Sequence, residues 1–261
     1  MREARRNATV VLVYVLVLAL WQLAGWAFSV PAFILPSPVA IVERAARSPG
    51  ALAFHALVTL QEVVLGFLLA VLVSIPLGIV IVSSRLLERI FYPLLVAFQA
   101  IPKVALAPIL VVWFGFGLTS KISLAFVTAM FPIVINTVVG MARTPAEMIH
   151  LMRSLGASPL QIFAKVRLPA AAPHIFGGFK VGITLAMVGA VVGEFIASNS
   201  GLGNFLLIAN NAFDSPLLFA IVIALSLLSV ALFYAIELIE ALVLPRPLRR
   251  KALDLELGAR A

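Results

Sequence analysis

Six long apolar runs divide the chain and constrain its fold more than any other feature. They cover residues 8–28, 56–82, 93–114, 122–141, 175–197 and 217–243. In a helix that rises ~1.5 Å per residue, about 20 apolar residues cross the hydrocarbon core of a bilayer. Of all residues, 63% are hydrophobic and 11% are charged, whereas about a quarter are charged in a soluble domain. The sequence therefore predicts an all-α membrane protein, with residues 1–261 forming a single transmembrane domain.

The first apolar run has two interpretations. It follows Arg2, Arg5 and Arg6, and a basic start before an apolar run is also typical of a signal peptide. The run is long enough to span a membrane, and five more runs follow it. We therefore interpret residues 8–28 as a retained first span.

Lysine and arginine residues indicate how the spans are oriented. Fourteen of the 19 basic residues fall in segments on one side of the six spans, and three, Arg44, Arg47 and Lys121, fall on the other side. Basic residues collect on cytoplasmic loops. We therefore expect both termini and the polar segment 144–173 to be cytoplasmic. The same bias explains the formal net charge of +8, so a nucleic-acid partner is not expected.

Residues 144–173, here called the elbow segment, carry their own helix signals. Thr144-Pro145-Ala146-Glu147 and Ser158-Pro159-Leu160-Gln161 both have the pattern of a capping box with proline at the first helical position. Gly156 is placed to end the first helix, and Pro169 predicts the end of the second near residue 168. The sequence thus predicts two short helices joined at a tight turn. An apolar stripe of Met148, Met152 and Leu155 on the first helix indicates that a partner docks there.

Small and polar residues inside the spans suggest packing surfaces and a pathway. Glycines at four-residue spacing indicate close helix–helix contact, within the chain or, for the fifth span, across a dimer axis: Gly66, Gly78, Gly178, Gly182, Gly189 and Gly193. Polar side chains within spans are candidates for lining a pathway: Gln99, Lys103, Asn136 and Glu194. For Lys103, the structural alternatives are pairing with Glu62 or Glu194, or extension of its side chain to the membrane surface; for Glu194, the alternative is an interfacial position. The three histidines show no metal-binding spacing.

Several of these motifs resemble one known family. Gly156, nine residues and then Val166-Arg167-Leu168-Pro169 are similar to the cytoplasmic signature loop of the permeases of ATP-binding-cassette importers. Further motifs are similar to those of the nitrate, sulfonate and taurine branch of that family: 34–38 (ILPSP), 113–117 (WFGFG), Gly193-Glu194 and 201–203 (GLG). One position departs from the pattern: His150-Leu151-Met152 stands where the family has Glu-Ala-Ala. Glu147, three residues earlier on the same helix face, is the alternative acidic residue.

The resemblance implies a type I importer fold of six transmembrane helices in the cell inner membrane. It implies a pair of permease copies, a cytoplasmic ATPase dimer that binds ATP and Mg, and an external substrate-binding protein, with no cofactor or metal on this chain. The coupling residues that it implies lie on the first short helix and the turn: Glu147, Met148, His150, Leu151, Met152, Leu155, Gly156, Ala157, Ser158 and Pro159. The implied substrate is a small anion such as nitrate, a sulfonate or taurine, or a vitamin-like heterocycle such as a pyrimidine precursor or riboflavin.

Other functions fit the sequence less well. Nowhere does lysine follow glycine, so the phosphate-binding loop of an ATPase is absent, and a partner must hydrolyse ATP. A secondary transporter or channel driven by an ion gradient is the alternative, but we see neither inverted repeats nor much intramembrane charge. An intramembrane enzyme would need paired acidic residues, a histidine cluster or a serine–histidine arrangement. The sequence shows none of these, so we expect a transport subunit and not an enzyme.

Overall fold

The computed structural model describes residues 12–13, 16–17, 19–23, 31 and 33–244. Within these residues every regular element is helical, which confirms the predicted all-α fold. The helices are α1 Pro38–Ala46, α2 Pro49–Ser83, α3 Arg85–Gln99, α4 Ala107–Phe114, α5 Leu118–Ala142, α6 Ala146–Ser154, α7 Pro159–Ile162, α8 Leu168–Ala197, α9 Leu202–Asn211 and α10 Ser215–Val243. A 3₁₀ turn, Lys103–Leu106, precedes α4, and a π-helical turn, Phe163–Arg167, joins α7 to α8.

Within the described part of the chain, four helices are long and apolar enough to cross a membrane. These are α2, α5, α10 and the continuous helix Pro159–Ala197 that contains α7 and α8. Helices α3 and α4 pass the same test when taken together, and they are bent by 86° at the break between them, as in a broken span or a re-entrant loop. Most of the predicted first span, 8–28, lies outside the described residues.

Prolines explain the broken span. Pro102 precedes the 3₁₀ turn, and Pro108 lies in the first turn of α4, where its missing N–H costs nothing. Pro132 and Pro173 lie inside α5 and α8, which continue past them. Transmembrane helices tolerate such prolines because neighbouring groups satisfy the freed carbonyls.

The described residues form two compact units, one of the residues up to Val58 with 199–227 and one of residues 59–198 with 228–244. In the second unit, α5 and α8 pack along most of their length. Fully buried small residues such as Ala125, Ala129, Ala186 and Ala190 let the two backbones approach closely, and this supplies the van der Waals contact on which helix association in lipid depends.

Polar contacts fix the loops of the first unit. The Arg44 guanidinium pairs with the Asp214 carboxylate at 2.7 Å. The other oxygen of Asp214 accepts a hydrogen bond from the Leu217 N–H at 3.1 Å, as a helix-capping side chain does. Ser215 donates its hydroxyl to the Phe33 carbonyl at 2.6 Å. These bonds tie the turn before α10 to α1 and to the segment that precedes it.

The helix boundaries differ from the sequence-based ones in two places. The segment 198–216, for which no helix was predicted, contains the ten-residue helix α9. The second helix of the elbow segment does not end near residue 168 but continues through Ala197, so the predicted span 175–197 is part of a longer helix. The reason is the π-helical turn just before Pro169. Its wider hydrogen-bond spacing relieves the clash that a proline ring makes with a normal helical turn.

Candidate functional site

The turn of the elbow segment is held by backbone hydrogen bonds. Gly156 has φ +75°, the left-handed conformation that glycine adopts without strain. Its N–H donates to the Arg153 carbonyl, and the Ala157 N–H donates to the Met152 carbonyl, both at 2.9 Å. This pair of bonds is a Schellman motif, and it ends α6 where the sequence predicted.

One of the two predicted capping boxes is present. Ser158 N–H donates to the Gln161 side chain at 2.8 Å, and Gln161 N–H donates to the Ser158 hydroxyl at 3.3 Å. The box at Thr144 was wrong: Thr144 donates its hydroxyl to the Met141 carbonyl at 3.0 Å, and Pro145 becomes the N-cap residue without a side-chain bond. The Thr144 side chain is buried against the end of α5, so it completes the preceding helix instead of starting the next.

An exposed apolar ridge runs along the elbow segment. Leu155 and Leu160 are 73% and 75% exposed, and Leu151 and Met148 are 61% and 49% exposed. We call these four side chains the elbow ridge. Met152, part of the predicted stripe, is half-buried, and Leu151 takes its place. The other predicted coupling residues Glu147, His150, Gly156, Ser158 and Pro159 are exposed, and Ala157 is half-buried.

The six predicted packing glycines all contact α5. A Cβ atom at Gly66 would lie 3.0 Å from the Ile122 carbonyl oxygen, and one at Gly189 would lie 2.8 Å from that of Leu124. A Cβ atom at each of the other four glycines would also crowd an α5 residue. The nearest residues are Thr137 for Gly78, Asn136 for Gly178, Ile133 for Gly182 and Lys121 for Gly193. These contacts lie within one chain and show that the glycines of α8 face α5; a contact across a dimer axis stays a prediction.

The break between α3 and α4 places a cation beside aromatic rings. The Lys103 ammonium lies 5.6 Å from the centroid of the Phe131 ring, and it donates a hydrogen bond to the Gln99 carbonyl at 2.9 Å. Phe98 stacks on Phe131 with ring centroids 6.2 Å apart. Among the described residues Lys103 has no carboxylate partner, so the alternative of pairing with Glu62 or Glu194 was wrong. Asn136 does not reach this break but donates to the Pro132 carbonyl of its own helix at 2.8 Å.

A buried ion cluster joins α2, α5 and α8. The Lys121 ammonium pairs with the Glu62 carboxylate at 2.5 Å, and the side chains are 6% and 0% exposed. Lys121 also donates to the Ser198 hydroxyl at 2.8 Å. Glu194, which is fully buried, accepts a hydrogen bond from the Thr59 hydroxyl at 2.6 Å. Glu194 is therefore enclosed by protein within this chain, and its place in a pathway stays a prediction.

Sequence reasoning missed Lys121 because it was placed in an outer turn. The signal was nonetheless present: a lysine on the outer side departs from the positive-inside pattern. A second outer basic residue, Arg44, is also paired, with Asp214. Within the described ranges, no group of three or more histidine, aspartate or glutamate side chains is arranged to hold a metal ion.

Comparisons with known proteins agree with this architecture. Residues 62–248 match the family model of the binding-protein-dependent transport system inner membrane component. The chain belongs to this family. The permease is 42% identical over 230 residues to the riboflavin transport system permease protein RibX of Chloroflexus aurantiacus, covering 87% of this chain and 86% of that protein. It is 35% identical over 235 residues to the formylaminopyrimidine transport permease protein ThiX of Halalkalibacterium halodurans, covering 90% and 94%.

A third relative and a solved structure extend the comparison. The putative aliphatic sulfonates transport permease protein SsuC of Bacillus subtilis is 34% identical over 214 residues, covering 79% of this chain and 78% of that protein. A chain of the inward-facing MetNI methionine ABC transporter superposes with a TM-score of 0.65 at 21% identity, covering 73% of the permease and 95% of that chain. That likeness shows the type I importer fold.

Family membership defines what kind of protein this is. The permease is a multi-pass inner membrane subunit of an ATP-binding-cassette importer, and it is not an enzyme. ATP hydrolysis belongs to a separate ATPase subunit, and a substrate-binding protein supplies the solute. The alternative of an ion-gradient-driven transporter or channel is thereby set aside.

Proposed function

We propose that the permease works as a homodimer whose elbow segments and termini lie in the cytoplasm, where an ATPase dimer binds the elbow ridge. The elbow ridge carries this proposal. Four large apolar side chains, half to three-quarters exposed, stand together on a polar segment outside the spans. Apolar side chains clustered at the surface mark an interaction site, and an amphipathic helix docks its apolar face in a groove.

The distribution of basic residues supports the proposed orientation. Fourteen lysine and arginine residues fall in segments on the same side of the spans as the elbow segment, against three on the other side, Arg44, Arg47 and Lys121. Lysine and arginine collect on short cytoplasmic loops. This asymmetry favours a cytoplasmic elbow segment.

The construction of the elbow segment suits a mechanical contact. The Schellman motif at Gly156 and the capping box at Ser158 fix the two sides of the turn within four residues. The fixed turn joins α6 to the helix that continues into the membrane. When the partner ATPase binds ATP and Mg and its dimer closes, movement of α6 therefore passes to the spans. In this scheme ATP and Mg are held by the ATPase and not by the permease.

For the substrate, we propose a vitamin-like heterocycle of the riboflavin or pyrimidine-precursor class. Relatives at 42% and 35% identity are named as permeases for riboflavin and formylaminopyrimidine, and the relative named for sulfonates is 34% identical. The break between α3 and α4 presents Lys103 beside the Phe131 and Phe98 rings. Stacked rings with a nearby cation suit a flat heterocycle that carries carbonyl or anionic groups, whereas nitrate would use only the cation.

Replacing two leucines of the elbow ridge tests the docking proposal. We expect Leu151→Glu with Leu155→Glu to insert normally but to lose copurification with the ATPase and ATP-dependent uptake. Ser154→Glu adds a carboxylate to the same helix outside the elbow ridge and serves as the control. Normal ATPase binding by the double variant would contradict the proposal.

A separate uptake assay tests the proposed substrate class. Uptake of riboflavin and of formylaminopyrimidine, each supplied with the binding protein, is compared with uptake of nitrate and taurine.

A further inference from the structure

A second polar feature of the permease lies away from both the elbow ridge and the broken span. A cavity of about 730 Å³ opens between the start of α3 and the end of α5. Arg85, Arg89 and Tyr92 line it from α3, and Arg143 lines it from the end of α5. Its apolar wall includes Val138 and Val139. We call this cavity the arginine cleft.

The charges of the arginine cleft do not balance. Glu88 is its only lining carboxylate, and it stands against three guanidinium groups that stay protonated in proteins. Among the described residues, none of the three arginines forms an ion pair. The cleft therefore has a net charge of +2, obtained from three positive groups and one negative group. Like charges that converge in this way repel one another unless an anion lies between them.

The surrounding structure favours a phosphate group as that anion. Planar guanidinium groups bind phosphate oxygens in pairs. The N-terminus of α3, a 15-residue helix capped by Ser84, adds a partial positive charge at the same place. A phosphate held here meets three arginines and a helix dipole, with Tyr92 at the rim.

The position of the cleft in the membrane indicates a lipid. With the orientation proposed above, on which this inference rests, the cleft lies at the cytoplasmic leaflet, where anionic headgroups collect and basic pockets between helices bind them. Directly beside the cleft, α3 exposes Leu86, Ile90 and Leu94, which are 65%, 48% and 47% exposed. Acyl chains can lie along this apolar surface while the headgroup enters the cleft. We propose that the arginine cleft binds the phosphodiester headgroup of an anionic phospholipid.

The test uses the purified full-length permease in detergent. Dioctanoyl phosphatidylglycerol is titrated while the melting temperature is followed, and bound lipid is counted by native mass spectrometry. We expect saturable binding and a higher melting temperature with phosphatidylglycerol, but not with dioctanoyl phosphatidylcholine. Because each charge-assisted arginine contact is strong, Arg85→Gln with Arg89→Gln is expected to weaken binding about tenfold or more. Arg47→Gln, which removes an exposed arginine elsewhere, is the control and keeps normal binding.

Several outcomes would overturn the inference. Equal binding by the double variant, or equal binding of the two lipids, contradicts a site built from these arginines. Stabilisation by millimolar inorganic phosphate that displaces phosphatidylglycerol would identify a soluble-anion site instead. If the double variant does not fold, Arg143→Gln alone replaces it. ATP-dependent uptake in reconstituted vesicles separates the two proposals: a wild-type permease that transports but binds no phosphatidylglycerol refutes only the lipid site, and one that binds phosphatidylglycerol but does not transport counts against the proposed function.

Discussion

Gly193 on α8 and Lys121 on α5 lie against each other where α5 begins and α8 ends. A Cβ atom at Gly193 would be 3.2 Å from both the Cα and Cγ atoms of Lys121. The absence of a side chain lets α8 approach α5 closely at this level. At the same level the Lys121 ammonium reaches the Glu62 carboxylate at 2.5 Å and the Ser198 hydroxyl at 2.8 Å. The glycine contact and the ion cluster are thus parts of one packing arrangement.

Lys121→Met is expected to destabilise the permease strongly. Removing one partner of a buried ion pair leaves the other charge without compensation, which costs about 3–5 kcal/mol. The measurement is the melting temperature of the purified protein in detergent. Glu62→Gln combined with Lys121→Met removes both charges and should recover much of the loss. Lys103→Met, which breaks no ion pair, is the control, and a Lys121→Met protein as stable as the wild type would refute the role of the pair.

Gly189→Ala is expected to weaken the packing of α8 on α5. The new methyl group would lie 2.8 Å from the Leu124 carbonyl oxygen and 2.9 Å from the Ala125 Cα, and both are backbone atoms that cannot move aside. Overpacking of this kind costs roughly 1–3 kcal/mol. Gly177→Ala, on the same helix with no atom within 4 Å of its new methyl group, is the matched control and should be neutral. Equal melting temperatures of the two variants would show that the close contact is not needed.

Gly156→Pro is expected to abolish transport without preventing insertion or dimer formation. Proline requires φ near −65°, whereas Gly156 has φ +75°, and proline also lacks the N–H that donates to Arg153. The assays are ATP-dependent uptake in vesicles and dimer size by gel filtration. Gly156→Asn, which tolerates the left-handed conformation, should retain most of the uptake. Normal uptake by the proline variant would contradict a coupling role for the turn.

Lys103→Met is expected to lower uptake while leaving stability unchanged. The variant removes the cation beside the Phe131 ring that the proposed substrate would meet, and a cation–π contact at an exposed site corresponds to roughly a two- to fivefold change in affinity. Lys103→Arg keeps the charge and should retain uptake. Transport rates are compared with ATPase rates in the same vesicles. Unchanged uptake by the methionine variant would remove Lys103 from the pathway.

Local patterns in the sequence predicted the parts of this fold that depend on local chemistry. The lengths of the apolar runs predict the spans, and Pro102 and Pro108 predict the break between α3 and α4. Both effects act within a few residues of the chain. Gly156 and Ser158 are predictable for the same reason. Thr144 was assigned wrongly because its hydroxyl has two backbone choices, and burial against α5 decides between them. The partner of Lys121 depends on how closely α8 approaches α5, which is a contact between segments about 70 residues apart in sequence.

The continuous helix Pro159–Ala197 has a mechanical consequence. Its 39 residues make a rod about 58 Å long at 1.5 Å per residue, with the elbow turn at one end and Glu194 near the other. The glycine contacts with α5 extend from Gly178 to Gly193, so α5 and this part of the rod are packed as one body. In the proposed mechanism, a push on the turn therefore moves α5 and α8 together and displaces the ion cluster with them.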